Sequence, residues 1–276
     1  MVNLTTMETA VEQRIPTARF GLAVRWKAVR IAGFYLALIL LWKAVAIMEI
    51  WPSHAFPPPD DVLADLRRMT RDGSVWAAIQ TTMLRMAIGF SLSIVVGLSA
   101  GICIGSIRWV EETVGSLVVG LQSLPSITWF PLAILWFGRS ESAIVFVVLM
   151  GSVNSIAISA SAGVKGIPPL LRQASTMFGG RRHQKLLYVI LPAMLPSIVQ
   201  GLKLGWSFAW RSLLAAELLF ASMSLGNLLN AGREAGDVSQ IVSIMLVIVA
   251  IGMLVDRLVF GRLEGRVNER WGIAQR

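Results

Sequence analysis

A single cysteine, two histidines and two tyrosines stand among 276 residues. Cys103 lies alone in an apolar block, so no intrachain disulfide can form and a packing role is expected. His54 and His183 are far apart, and neither has a neighbour at metal-ligand spacing, so no metal site is expected. Charge is scarce too: only 15% of residues are Asp, Glu, Lys or Arg, against about 25% in a soluble domain. No Gly-Lys dipeptide occurs, which removes the phosphate-cradling G-x-x-x-x-G-K-S/T loop. H-E-x-x-H and G-x-S-x-G are also missing, and no Asp or His sits in the middle of an apolar block, which argues against a membrane-embedded hydrolase.

What the chain has instead is apolar length. Hydrophobic residues make up 55% of it and arrive in blocks such as 31–48, 143–158 and 238–255. A helical span needs about 20 apolar residues, which predicts an all-α integral membrane protein with six transmembrane helices: 31–50, 76–107, a third ending at Phe137, 142–162, 191–214 and 238–260. Residues 1–30 read as a basic tail, 31–75 as a first span and an external amphipathic helix, 76–261 as the main transmembrane domain and 262–276 as a second basic tail. Arg108, Glu111 and Glu112 are expected to form a polar turn between spans.

The net charge of +9 raises the question of nucleic-acid binding. Its distribution argues against that. Fifteen of the 25 basic residues fall into three clusters beside apolar blocks: Arg14, Arg19, Arg25, Lys27, Arg30; Lys165, Arg172, Arg181, Arg182, Lys185; and Arg257, Arg262, Arg266, Arg270, Arg276. On the six-span topology, 16 basic residues fall on the cytoplasmic side, five outside and four (Lys43, Arg85, Lys203, Arg211) within spans. That asymmetry places both termini in the cytoplasm. Five basic side chains before any apolar run are too many for a cleaved leader, so the first span is expected to be a retained anchor.

Several polar or breaking residues interrupt the spans. Gly97, Gly101 and Gly105, four apart, form a stripe suited to close helix approach. Pro125 and Pro131, with Gln122 and Ser123 beside them, predict a helix broken near a pathway or else a purely structural kink. Asn154 lies inside the fourth span. Lys203, Ser207 and Arg211 fall within about 80° of arc on the fifth, the two cations ~12 Å apart along the axis. Either they draw a small anion along the path, or Arg211 or Lys203 pairs with Glu217 or with backbone carbonyls of a neighbouring helix and holds the bundle together. The candidate translocation path is therefore Gln122, Ser123, Pro125, Asn154, Lys203, Ser207 and Arg211. Trp206 and Trp210, also four apart, suit packing better than the stacking of an aromatic solute.

The connection 163–189 holds one more element. Pro168 and Pro169 suit a helix start, Gly179 and Gly180 its stop, and Leu170, Leu171, Ala174, Met177 and Phe178 recur on one side. A short amphipathic helix over 168–180 follows, and its apolar side needs lipid headgroups or a protein groove.

Here the sequence resembles a known family. Gln173, Ala174, Ser175, then Gly179, then Ile190, Leu191, Pro192 is similar to the signature E-A-A-x3-G-x9-I-x-L-P of ATP-binding-cassette importer permeases. The spacing holds throughout. The departures are Gln173 for Glu, Ser175 for the second Ala and Val189 for Ile. Leu124-Pro125, Phe130-Pro131-Leu132, the run 134–138, Gly201-Leu202-Lys203, the run 215–218, and Arg85 with Gly89-Phe90 resemble the nitrate, sulfonate and taurine branch of these permeases, over roughly residues 76–271.

The resemblance implies a type I ABC importer permease fold with a cytoplasmic coupling helix, in a bacterial inner membrane. It implies a second copy of the chain, two cytosolic ATPase subunits that use ATP and Mg, and a periplasmic or lipoprotein solute-binding protein. This chain would bind no cofactor and would be no enzyme itself. By the same resemblance Arg172, Gln173, Ala174, Met177, Phe178 and Gly179 would couple to the ATPase. The competing class is an ion-coupled secondary transporter, for which Glu217 is the one carboxylate near a suitable position.

Overall fold

Long apolar helices and short polar turns account for the described chain, residues 17–177 and 182–271 of the computed structural model, and no strand occurs among them. It divides into two units, one up to Asp61 and one from Val62 onward. In the first, α1 (Thr17–Ile47) contains the apolar window Val29–Ile47, long enough to cross a bilayer core. Lys43, the charge near its end, lies 2.9 Å from Asp60, and Trp42 Nε1 donates to the Pro57 carbonyl at 3.1 Å.

α2 (Pro59–Arg71) carries Asp60 and Asp61 in its first turn, where the helix dipole favours acidic side chains. Its Val62 and Met69, seven apart, are buried, while Arg67, Arg68 and Arg71 are exposed. Gly73 then makes the turn at φ 80° that only glycine adopts freely. Beside it Asp72 accepts hydrogen bonds from Ser74 Oγ (2.6 Å) and Ser74 N–H (2.9 Å), which hold its carboxyl below the ordinary value.

The main helices that follow are α3 (Ser74–Ser106), α4 (Arg108–Gln122), α5 (Ser126–Phe137), α6 (Glu141–Lys165), α7 (Pro169–Met177), α8 (Leu186–Glu217), preceded by a single turn at Arg182–Lys185, and α9 (Leu225–Ala235). α10 (Val238–Trp271) ends the described chain. Asp237 starts it by accepting from Gln240 N–H at 3.0 Å, and Ser224 caps α9 through Asn227 N–H at 3.2 Å.

Contacts between small residues fix the directions of these helices. On α3, Gly89 meets Val148 of α6, Gly97 meets Ile156 and Gly105 meets Val164, so the two helices run parallel. On α8, Gly201 meets Ser159 and Gly205 meets Ile156, while Gly163 of α6 meets Met194 and Ser197; α8 therefore runs antiparallel to α6. Rings of Trp206 and Phe260 lie 6.1 Å apart and Lys203 faces Asp256 and Glu264, so α10 runs back against α8.

Parallel packing of α3 and α6 forces the chain to recross between them. The pair α4 and α5, bent by 104° at residues 123–125, is thus one broken span, and with α1 the spans number six. Pro125, at φ −56° and ψ 131°, makes the break. Pro131 does not kink anything: it sits in the first turn of the final helical stretch of α5, where its missing N–H costs no hydrogen bond. Arg108, Glu111 and Glu112 are not a turn but the start of α4, with Arg108 and Glu112 paired at 2.9 Å one turn apart. Cys103, expected in packing, is exposed on α3.

Hydroxyls within the spans bond to carbonyls four residues back, Ser93 to Gly89 (2.7 Å), Ser152 to Val148 (2.9 Å) and Ser212 to Phe208 (2.7 Å), which satisfies them without water. The glycine stripe extends the same economy of space. A methyl at Gly101 would collide with the Ala157 carbonyl oxygen, an atom no rotamer change can move. Gly101→Ala is expected to destabilise the protein by about 1–3 kcal/mol. Gly120→Ala, with nothing within 4 Å, should be neutral or stabilising by up to about 1 kcal/mol. Thermal unfolding of both purified variants checks this; equal midpoints would contradict the packing.

Candidate functional site

Three places in the bundle carry chemistry. At the Glu141 end, the Arg85 side chain of α3 is only 5% exposed and spends its donors on three segments: Nε on Glu141 Oε2 (2.6 Å), Nη1 on Glu217 Oε1 (3.0 Å) and Nη2 on Ser222 Oγ (2.8 Å). Glu217, fully buried, also accepts from Thr82 Oγ1 (2.9 Å) and from the Gly226 N–H (3.2 Å). Thr82 Oγ1 in turn accepts from Leu225 N–H at 3.0 Å. A side chain at Gly226 would place its Cβ 2.5 Å from the Glu217 Cβ, so glycine is what lets α9 come this close. The cluster ties α3, α6, α8 and α9 together, and every oxygen of Glu217 is occupied.

Below it, at the break between α4 and α5, lies a cavity of about 300 Å³. Gln122, Ser123, Pro125 and Ser126 line it from the broken span, Asn154 and Ser155 from α6, Phe208 and Arg211 from α8. Five of the seven expected path residues meet here: Gln122, Ser123, Pro125, Asn154 and Arg211. Lys203 and Ser207 are not in the lining. Lys203 Nζ lies 3.3 Å from Glu264 and 3.6 Å from Asp256, and the Ser207 hydroxyl donates to the Lys203 carbonyl. Neither expected cation pairs with Glu217, whose partner is Arg85. The one backbone carbonyl that Arg211 bonds, through Nε at 3.0 Å, is that of Ser207 on its own helix, not on a neighbouring one.

Trp206 and Trp210 are packed, not free for a solute. Their rings stack 6.3 Å apart, and Phe90 meets Trp206 edge-on at 5.4 Å.

At the other end of α6 the chain turns at Gly166 and enters α7, where the described apolar side chains Leu170, Leu171 and Met177 are exposed. Leu170 is 74% exposed and Met177 87%, and Leu171 and Gln173 are exposed too. Arg172 and Ala174 belong to the same helix; Phe178 and Gly179 lie outside the described residues.

Residues 93–270 match the family described as "Binding-protein-dependent transport system inner membrane component". The chain belongs to that family. Within it, the taurine transport system permease protein TauC of Escherichia coli (strain K12) is 27% identical over 229 residues, 81% of this chain and 83% of its own length. The putative aliphatic sulfonates transport permease protein SsuC of Bacillus subtilis (strain 168) is 26% identical over 234 residues, 85% of this chain and 84% of its own. Relatives named for nitrate, bicarbonate and riboflavin align over 84%, 92% and 95% of this chain. Among solved structures, the MetNI methionine ABC transporter in inward facing conformations superposes with a TM-score of 0.55 at 20% identity, covering 70% of this chain and 94% of that one. The fold is therefore that of an ABC importer permease, and the function is that of a membrane permease component of such an importer.

That membership disfavours ion-coupled transport, and the geometry around the one candidate carboxylate agrees. Glu217 is locked by a guanidinium, a hydroxyl and an N–H. Sequence reading missed Glu217 and Arg85 as a pair because 132 residues separate them. A signal existed: an Arg and a Glu each flanked by apolar residues in spans cannot both stay unpaired. Removing one partner of a buried pair strands the other, at a cost of about 3–5 kcal/mol. Arg85→Met should therefore lower the unfolding midpoint sharply, and Arg85→Met with Glu217→Gln should recover part of the loss. A double variant as unstable as the single one would show that the pairing itself is not what matters.

Proposed function

We propose that two copies of this chain form the membrane channel of an importer powered by two separate cytosolic ATPase subunits and supplied by an external solute-binding protein. The observation that carries this is α7: a helix at the end of α6 with Leu170, Leu171 and Met177 outward has an apolar face to bury in another protein's groove. Arg172, Gln173, Ala174, Met177, Phe178 and Gly179 form the contact, with Arg172 and Gln173 at the polar rim. ATP and Mg belong to the partners, and this chain hydrolyses nothing. Both termini and α7 face the cytoplasm, in keeping with the 16 basic residues assigned to that side.

ATP binding closes the ATPase pair and shifts α7, and α6 transmits the shift, so the path alternates between inward and outward access. What ATP sets is the difference in solute affinity between those two states. The cargo is a small anion of the nitrate, sulfonate or taurine kind. Relatives named for taurine, aliphatic sulfonates, nitrate and bicarbonate support that class. A relative named for riboflavin shares the scaffold, so much of the choice rests with the binding protein.

The test is co-purification. The tagged chain, co-expressed with candidate cassette ATPases, should retain one of them. Leu170→Asp with Met177→Asp should weaken that association at least about tenfold, since burying even one such side chain is worth about 1.5–3 kcal/mol. Uptake by the chain alone, driven by a proton gradient and indifferent to ATP, would overturn the proposal.

A further inference from the structure

Four cations lie within the spans by sequence, and three of them have acidic partners. Lys43 faces Asp60, Arg85 faces Glu141 and Glu217, and Lys203 faces Asp256 and Glu264. Among the described residues, no acidic group comes within ion-pair distance of Arg211. Its Nε–H is used on the Ser207 carbonyl, and its guanidinium lies over the Phe208 ring, 4.9 Å from the centroid. Both Nη groups are left without a hydrogen-bond partner among the described residues. A cation inside a bilayer is costly unless something compensates it.

The surroundings of Arg211 are uniform in kind. The cavity it lines contains hydroxyls and amides but no carboxylate. Asn154 and Ser155 are 7% and 5% exposed, and neither side chain has a hydrogen-bond partner among the described residues. Their polar ends are not sealed inside protein but reach the cavity, where they can bond whatever enters it. Asn154 stands 13 residues after Glu141 and 11 before Lys165, roughly 20 and 17 Å along α6, which is mid-span and out of reach of lipid headgroups. At about 300 Å³ the space suits a solute of a few heavy atoms.

We infer that this cavity is a solute subsite for one small oxyanion, gripped by the free Nη edge of Arg211 and by the Asn154 amide, with the hydroxyls of Ser126 and Ser155 beside it. The guanidinium fork matches the paired oxygens of a carboxylate, nitrate, bicarbonate or sulfonate. The Phe208 ring and the Ser207 carbonyl hold the fork in place. The inference rests on the importer reading and narrows it: of the two cations expected on the path, Arg211 binds solute and Lys203, already neutralised, does not.

The probes are sodium nitrate, sodium bicarbonate, taurine and sodium ethanesulfonate, with ethanesulfonamide as the neutral isostere, added to the purified chain in nanodiscs at constant ionic strength. At least one anion should raise the unfolding midpoint saturably, and the sulfonamide should not. Arg211→Gln and Asn154→Leu should each weaken that binding about tenfold or more, the scale of a hydrogen bond to a charged group, and Arg211→Lys should retain part of it. Where Arg211→Gln itself unfolds early, phenylglyoxal labelling of the wild type replaces it: the bound anion should protect Arg211 and leave Arg67 labelled. No saturable anion effect, equal binding by the sulfonamide, affinity unchanged in Arg211→Gln, or Arg211 labelling unchanged by the anion would each overturn the subsite. ATPase co-purification should survive Arg211→Gln. A permease that holds its ATPase yet ignores these anions overturns the subsite alone, whereas one that never holds an ATPase overturns the importer reading.

Discussion

Backbone-to-backbone approach along α6 sets the rest of the bundle. In lipid no hydrophobic force drives helices together, so they associate through close contact and polar pairing. α3 offers Gly89, Gly97, Gly101 and Gly105 to one side of α6, and α8 offers Gly201 and Gly205 to another. Gly151 and Gly163 of α6 reciprocate toward Ser212, Met194 and Ser197. Contact at this range leaves no freedom of register. With α3 fixed parallel to α6, the residues between them must recross the bilayer, and they do so with the break at residues 123–125 that opens the cavity. A packing constraint on one helix pair thereby creates the space beside the middle of α6.

Charge then follows from the same solvent. Each cation in a span needs a partner, and the partners sit at the two ends of the bundle: Glu141 and Glu217 around Arg85 at one end, Asp256 and Glu264 around Lys203 at the other. Both sets join helices that neighbour the cavity, so both brace its walls. Arg211 stands between them, without an acidic partner among the described residues, facing the space that the broken span leaves. The three sites differ in surroundings as well: the Arg85 side chain is 5% exposed and that of Lys203 39%, whereas Arg211 is exposed beside the cavity.

The sequence made the spans legible because about 20 apolar residues admit few alternatives, and it made the glycine stripe legible because a four-residue spacing puts small residues on one face. It also marked the break, since Pro125 beside Gln122 and Ser123 cannot continue a helix. What it could not separate was Lys203 from Arg211. They lie on one helix within about 80° of arc, and only the carboxylates of α10, 61 residues away for Glu264, distinguish them. Pro131 misled for a related reason: composition reveals a proline but not whether it falls in a first turn. Arg85 and Glu217 were visible singly as span charges, while their pairing depended on the tertiary arrangement of α3 and α8.

The place of each feature along α6 bears on how a push could become transport. Glu141 at its start belongs to the ion-pair cluster, Asn154 and Ser155 in its middle line the cavity, and Lys165 at its end leads within four residues to the start of α7. α6 has no proline, and its central serine and glycine are packed against neighbours, so it lacks the usual causes of a kink at the cavity. A displacement of α7, as proposed for coupling, would therefore reach the Arg211 cavity and the Arg85 cluster together. Interlocked packing of this kind shifts between discrete arrangements instead of deforming smoothly, so under the proposed function access at one end and grip on an anion in the middle would be coupled through the same helix.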